Sequence, residues 1–332
     1  MHTTLSQLSL SIHLRAVSGK CIVPSPCPQA SHPMCSRPQF NALAVAALSL
    51  LASGTFSLAQ PSFTAVPQLP ADVPISKGAG RGGYLTVMLH LEHGAEFPCV
   101  LDTGSPGSLL PKTVESRLGK RLRTQTVRTL GGPREKTRVY ATPKLYLGTT
   151  PLLTGKTIAA WNDHSGVLGM DCLSHYCIQL DFQAGKIRFL NPESVNPNDL
   201  GKSFPLTSTR YACIRHRTLF GQKTAPLLLD TGLPFDAMIS TKAYHRAVIE
   251  QDAQPIPLLK DGKPAGTAPD LACFPSCLWE GTTYTNLVVG PGRPDLLGLR
   301  FLARHTVTFN FPKRVMYLKA TSPNPLPPEP QW

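Results

Sequence analysis

Acidic residues are scarce in this chain of 332 residues: 20 Asp and Glu stand against 33 Lys and Arg, a formal net charge of +13. Charged residues of both signs make up only 16% of the sequence, too few for ion-pair networks to carry the fold. The cations are scattered, with no run of five and no basic helix, so the usual signature of a nucleic-acid binder is absent. Long helical periodicity is missing too, and only residues 241–251 have the spacing of a short helix. The sequence has no Gly-x-Ser-x-Gly elbow, no His-Glu-x-x-His and no phosphate-binding glycine loop. Serine-hydrolase, zinc-peptidase and nucleotide-dependent chemistries therefore lack their usual residues. His164 and His175 have no such context and read as ordinary surface or core histidines. No cofactor and no metal is expected.

What is present favours strands. Pro (33) and Gly (26) are frequent and 42% of residues are hydrophobic, a composition of short strands joined by turns around a substantial core. The predicted fold class is all-β, and the length suggests about two domains.

The N-terminal stretch 1–59 contains no Asp or Glu. Within it Arg37 precedes an apolar run from Ala42 to Ala52, and Ser57-Leu58-Ala59 follows, the layout of a secretory signal over 34–59 that starts at Met34. The run is too short to span a membrane comfortably. Residues 1–33 then form an extension that is either disordered or not translated. The stretch also has the Ser-rich, acid-poor character of an organelle transit peptide. Export is the favoured expectation, to a secreted or periplasmic location with no membrane span in the mature chain.

Without residues 1–59 six cysteines remain: Cys99, Cys172, Cys177, Cys213, Cys273 and Cys277. An even count in an exported chain fits disulfides, and Cys172/Cys177 and Cys273/Cys277 are the local pairs. His175 lies between the first two, but the spacing fits no common zinc site. Cys99, in an apolar run, reads as a buried thiol.

An internal repeat organises the rest. Phe97-Pro98-Cys99-Val100-Leu101-Asp102-Thr103-Gly104-Ser105 matches Ala225-Pro226-Leu227-Leu228-Leu229-Asp230-Thr231-Gly232-Leu233. Gly166-Val167-Leu168-Gly169 matches Asp295-Leu296-Leu297-Gly298, 67 positions after Asp102 and 68 after Asp230. Each of these is followed by two alternating apolar-polar segments, 177–182 and 186–190 in the first half and 306–311 and 315–318 in the second, the pattern of half-buried strands.

Paired apolar-apolar-Asp-Thr-Gly motifs, each followed by apolar-apolar-Gly, resemble the aspartic protease clan of retroviral proteases and pepsin. With two short repeats in one chain, the sequence looks like a fused tandem of retropepsin-like domains of bacterial type. The resemblance implies a bilobal acid-protease fold, two β-barrel lobes related by a pseudo-twofold axis. It divides the chain into a leader over 60–82, lobe one over 83–192, a linker over 193–205, lobe two over 206–320 and a disordered tail over 321–332. It also implies that Asp102 and Asp230 are the catalytic pair of an endopeptidase. Thr103, Gly104, Ser105, Thr231 and Gly232 would support the loops, with the threonines bonding across to the opposite loop. Ser105 could bond the outer oxygen of Asp102, whereas Leu233 at the matching place cannot, so an asymmetric site is expected. Hairpin flaps would carry Leu130, Gly131 and Gly132 in lobe one and Gly262 in lobe two. Tyr140 and Tyr146 lie near the place of a pepsin-type flap tyrosine. The expected partner is a peptide or protein substrate, with no nucleic acid. A fused pair completes its own site, so a monomer is expected. A catalytically silent peptide binder on the same fold is the alternative, although a binder has no need of two titrating carboxyls.

Overall fold

The computed structural model describes residues 68–94, 96–128, 134–220, 224–250, 253–260 and 263–327. The signal expected at 34–59 and the extension before it lie outside these residues. The described chain is mostly strand, with few short helices, as the turn-rich composition requires. The helix expected at 241–251 forms as Thr241–Glu250.

Each half builds the same arrangement around its Asp-Thr-Gly. Strand Phe97–Leu101 leads into Asp102, and Gly166–Leu168 pairs with it in parallel, Val167 opposite Val100. Gly166–Leu168 is flanked on its other side by the antiparallel strand Leu109–Pro111. In the second half Thr224–Asp230 takes Leu296–Gly298 as its parallel neighbour, and Ala237–Ile239 flanks that strand. The central strands are apolar because both their faces are covered: Leu101, Leu168, Leu229 and Leu297 are all buried.

Three sheets result. A nine-stranded sheet belongs to the first half and a seven-stranded sheet to the second. The third, six-stranded, interleaves both halves: Cys177–Asp181 pairs with His305–Asn310, Ile178 opposite Phe309. Its inward residues Ile178, Leu180, Ile187, Val307, Phe309 and Met316 join the main core.

Three expectations need correction. No sheet among the described residues closes into a barrel; each ends in two distinct edge strands. Closure of the nine-stranded sheet would have to join Arg123–Arg128 to the two-residue strand Thr150–Pro151, whose proline has no N–H to give. The described part of the leader is built into the fold: Val73–Pro74 pairs with Lys186 and Ile187, and Ala79 is fully buried. The linker ends early, since Lys202–Pro205 is already a strand paired with Val315–Leu318. Nor is the tail disordered as far as Leu326, which packs on the core, while the carbonyl of Pro323 accepts from Arg304.

The local disulfides do not form either; all six described cysteines are free thiols. Cys273 and Cys277 lie on one continuous strand, opposite Val288 and Tyr284. Four residues of strand separate their Cα atoms by about 13 Å, beyond the roughly 7 Å a disulfide can span. Cys277 instead donates to the carbonyl of Leu219 at 2.7 Å. Cys172 and Cys177 are buried in apolar surroundings, and burial pushes the Cys177 thiol up to about 11.

Candidate functional site

The ends of the two apolar strands meet. Thr103 and Thr231, both buried, cross-brace the loops. The Thr103 N–H donates to Thr231 Oγ1 at 3.0 Å, and the Thr231 N–H to Thr103 Oγ1 at 3.1 Å. Each hydroxyl then donates to the opposite strand, Thr103 Oγ1 to the carbonyl of Leu229 at 2.6 Å and Thr231 Oγ1 to that of Leu101 at 2.5 Å. This brace fixes the position of each following loop by bonds to the other half.

Asp102 and Asp230 sit at the mouth of this junction, partly exposed. Within each motif the glycine N–H holds its own aspartate: Gly104 N to Asp102 Oδ1 at 2.8 Å and Gly232 N to Asp230 Oδ1 at 2.9 Å. Each glycine also lies directly under the opposite carboxyl. A Cβ on Gly104 would come within 2.5 Å of Asp230 Cγ, and one on Gly232 within 2.6 Å of Asp102 Cγ. No side chain larger than hydrogen fits at either place.

The two carboxyls are neighbours, each set against the glycine that holds the other. Burial raises the Asp102 carboxyl above the usual carboxylate range. Asp230 is held well above it, by burial first and then by the charge of Asp102. The pair therefore retains a proton where separate carboxyls would both ionise. A proton donor and a proton acceptor stand side by side, able to act on one water.

Ser105 departs from its expected role. Its hydroxyl donates to the carbonyl of Gly107 at 2.8 Å, because the loop turns back on itself there. The Ser105/Leu233 difference thus gives no hydroxyl bond to a carboxylate. The stretches expected to be flaps lie in hairpins: Arg123–Arg128 pairs with Arg134–Ala141, and Gln254–Lys260 with Lys263–Trp279. The named tip residues Leu130, Gly131, Gly132 and Gly262 lie outside the described residues. Tyr140 is turned to Glu115, to which its hydroxyl donates at 2.7 Å, and Tyr146 stacks on His90. His164 and His175 are exposed. Among the described residues no three His, Cys, Asp or Glu side chains gather as a metal site would require.

Two features went unread in the sequence. The first is a pair of tyrosines. Leu101 donates to the carbonyl of Leu85, and Leu229 likewise to that of Ala212, so Tyr84 and Tyr211 precede equivalent residues. The phenol of Tyr84 is raised by burial and by the negative fields of Asp163, Asp102 and Asp230, which puts it within electrostatic reach of both carboxyls. The second is a clasp behind each loop, of opposite polarity in the two halves. In the first, the Ser108 hydroxyl donates to Asp171 at 2.6 Å and accepts from the N–H of Gly169. In the second, Asp236 takes the serine's place and Arg300 that of Asp171, and they form an ion pair. Arg304, wholly buried, adds bonds of 2.9 and 3.2 Å to Asp236. The sequence signal was the motif alignment itself, which sets Ser108 against Asp236 and Asp171 against Arg300.

In comparisons with known proteins, no family model and no curated protein sequence matches the chain.

Proposed function

We propose that the protein is an aspartic endopeptidase of bilobal acid-protease type, with Asp102 and Asp230 as its catalytic dyad. One observation carries this reading: two carboxyls from matching positions of a repeat come together at one junction, each against the opposite motif's glycine. The threonine brace and the glycines beneath the carboxyls support it, since both serve to keep two like-charged groups in contact. A structural role alone would not call for that repulsion.

The chemistry follows from the shared proton. The ionised carboxyl takes a proton from a water as its oxygen bonds to the peptide carbonyl carbon. The protonated carboxyl gives its proton to the carbonyl oxygen, forming a neutral tetrahedral diol. Collapse breaks the C–N bond as one diol hydroxyl returns its proton to the ionised carboxyl and the other carboxyl gives its proton to the leaving nitrogen, yielding an acid and an amine and restoring the singly protonated pair. No covalent enzyme intermediate forms. Extended substrate would lie between the dyad and the hairpins, pairing backbone to backbone. Export belongs to the same proposal and rests on the composition of residues 34–59 alone.

The test is cleavage of an unfolded protein substrate across acidic to neutral pH, with and without pepstatin. Expected are internal cuts, inhibition, and loss of at least ~10³-fold in rate for Asp102→Asn and for Asp230→Asn. Full activity in either variant would reject the dyad. Peptide binding without hydrolysis by the intact protein would favour a silent binder.

A further inference from the structure

The scattered cations are nonetheless unevenly balanced by acids between the two halves. Residues 112–141 hold nine Lys and Arg against two Glu, a net +7 within a whole-chain +13. The matching stretch of the second half, 240–269, has four against three. The difference falls on the hairpin of the first half. Across it Thr124 stands opposite Arg138 and Thr126 opposite Lys136. With Arg134 two residues beyond Lys136, three exposed cations line one face of the strand Arg134–Ala141. Arg138 is held by Glu115 at 3.2 Å. Among the described residues, the side chains of Arg134 and Lys136 make no ion pair and no hydrogen bond, while their backbones belong to the hairpin ladder.

The opposite face of the hairpin ties it to the candidate site. Val127 and Val139 pack with Leu109, Ala159, Val167 and Trp161 in an apolar cluster separate from the main core. Val167 adjoins Leu168, whose carbonyl accepts the N–H of Asp102 at 3.0 Å. A peptide held at the carboxyls and running out past this hairpin would meet the cations on one side only.

We propose that the hairpin of Arg123–Arg128 and Arg134–Ala141 is a cationic docking surface for peptide substrates that carry an acidic segment to one side of the scissile bond. The proposal rests on the peptidase reading and names its substrate class. Charge complementarity there acts by steering and register, and is lost with screening.

The experiment uses peptides with one common cleavable core, extended on either side by a Glu run, a Gln run or a Lys run. At low ionic strength the Glu extension should raise kcat/KM roughly tenfold over Gln, on one side of the core only. The advantage should vanish at about 0.5 M salt, where the screening length falls to a few ångströms. In Arg134→Glu/Lys136→Glu the Glu-to-Gln ratio should drop to one or below. In Lys242→Glu/Arg246→Glu, an equal charge change on the helix of the second half, the ratio should stay as in the parent protein. An equal loss in that control would overturn the proposal, since overall charge would then suffice. Binding of a labelled Glu-rich peptide to the Asp102→Asn protein, read by fluorescence anisotropy, reports on the surface without turnover. Binding with no cleavage by the parent protein would keep the docking surface and reject the peptidase reading. Equal cleavage of all extensions would do the reverse. Tighter binding of a duplex DNA oligonucleotide than of the Glu-rich peptide would also overturn it.

Discussion

Asp102 and Asp230 are held where ionisation is hardest, and the cost is visible in stability against pH. Both carboxyls are raised above their usual range, Asp230 the more strongly, by burial and by the charge of its neighbour. Their contribution to stability is fully present below about pH 4, where folded and unfolded chains are both protonated. It is lost as pH rises towards the folded value, because the unfolded chain releases its protons first. We therefore expect Asp230→Asn to melt higher than the parent near neutral pH, by roughly 1–2 kcal/mol in stability, and the gain to fade by about pH 4. Differential scanning fluorimetry across that range checks it. His305 acts in the opposite sense. Burial lowers its imidazole to about 4, and it meets the hydroxyl of Tyr284 at 2.8 Å. Its contribution is present above about pH 6.5 and is lost as pH falls towards 4, up to roughly 3 kcal/mol. His305→Gln should flatten the acid limb of the melting profile, and an unchanged limb would exclude this group as its cause. The carboxyls, threonines and glycines were legible because their motif occurs twice. Tyr84 and Tyr211 were not, because only the hydrogen-bonding register makes them equivalent.

Among the elements, the two clasps show how a repeat diverges without losing its geometry. Ser108 with Asp171 needs no buried cation, whereas Asp236 takes the wholly buried Arg304 as well as the half-buried Arg300. Asp236→Ala would leave Arg304 charged and fully enclosed, with backbone carbonyls as its remaining partners. Urea denaturation should show a loss of roughly 3–5 kcal/mol, against about 1 kcal/mol for Ser108→Ala in the first half. Similar losses in both would mean that the buried charge is not the deciding factor. The strands and the helix Thr241–Glu250 were readable from alternation and spacing, both local properties. The Cys273/Cys277 bridge was misjudged because closeness in sequence along an extended strand is distance in space. The clasp partners are also far apart in sequence, and only the matched strands bring them together.

For the whole molecule, the six-stranded sheet matters most. Cys177–Asp181 and His305–Asn310 belong to different halves yet pair with each other over five residues, Cys177 opposite Asn310 to Asp181 opposite Thr306. The sequence showed two repeats, but nothing in it told which strands would cross between them. Because this sheet and the threonine brace both span the junction, the halves should melt as one unit. Calorimetry should show a single transition, and two resolved peaks would contradict it. The same seam bears on residues 193–201, which contain most of the exposed connection between the halves. Once the sheet has formed, that segment is only a tether, and what it contributes is a local concentration of about millimolar order. A single cut there should leave a nicked molecule that works at ordinary concentrations and fades on dilution. Two separately made pieces should then restore each other, a bimolecular assembly in place of an intramolecular one.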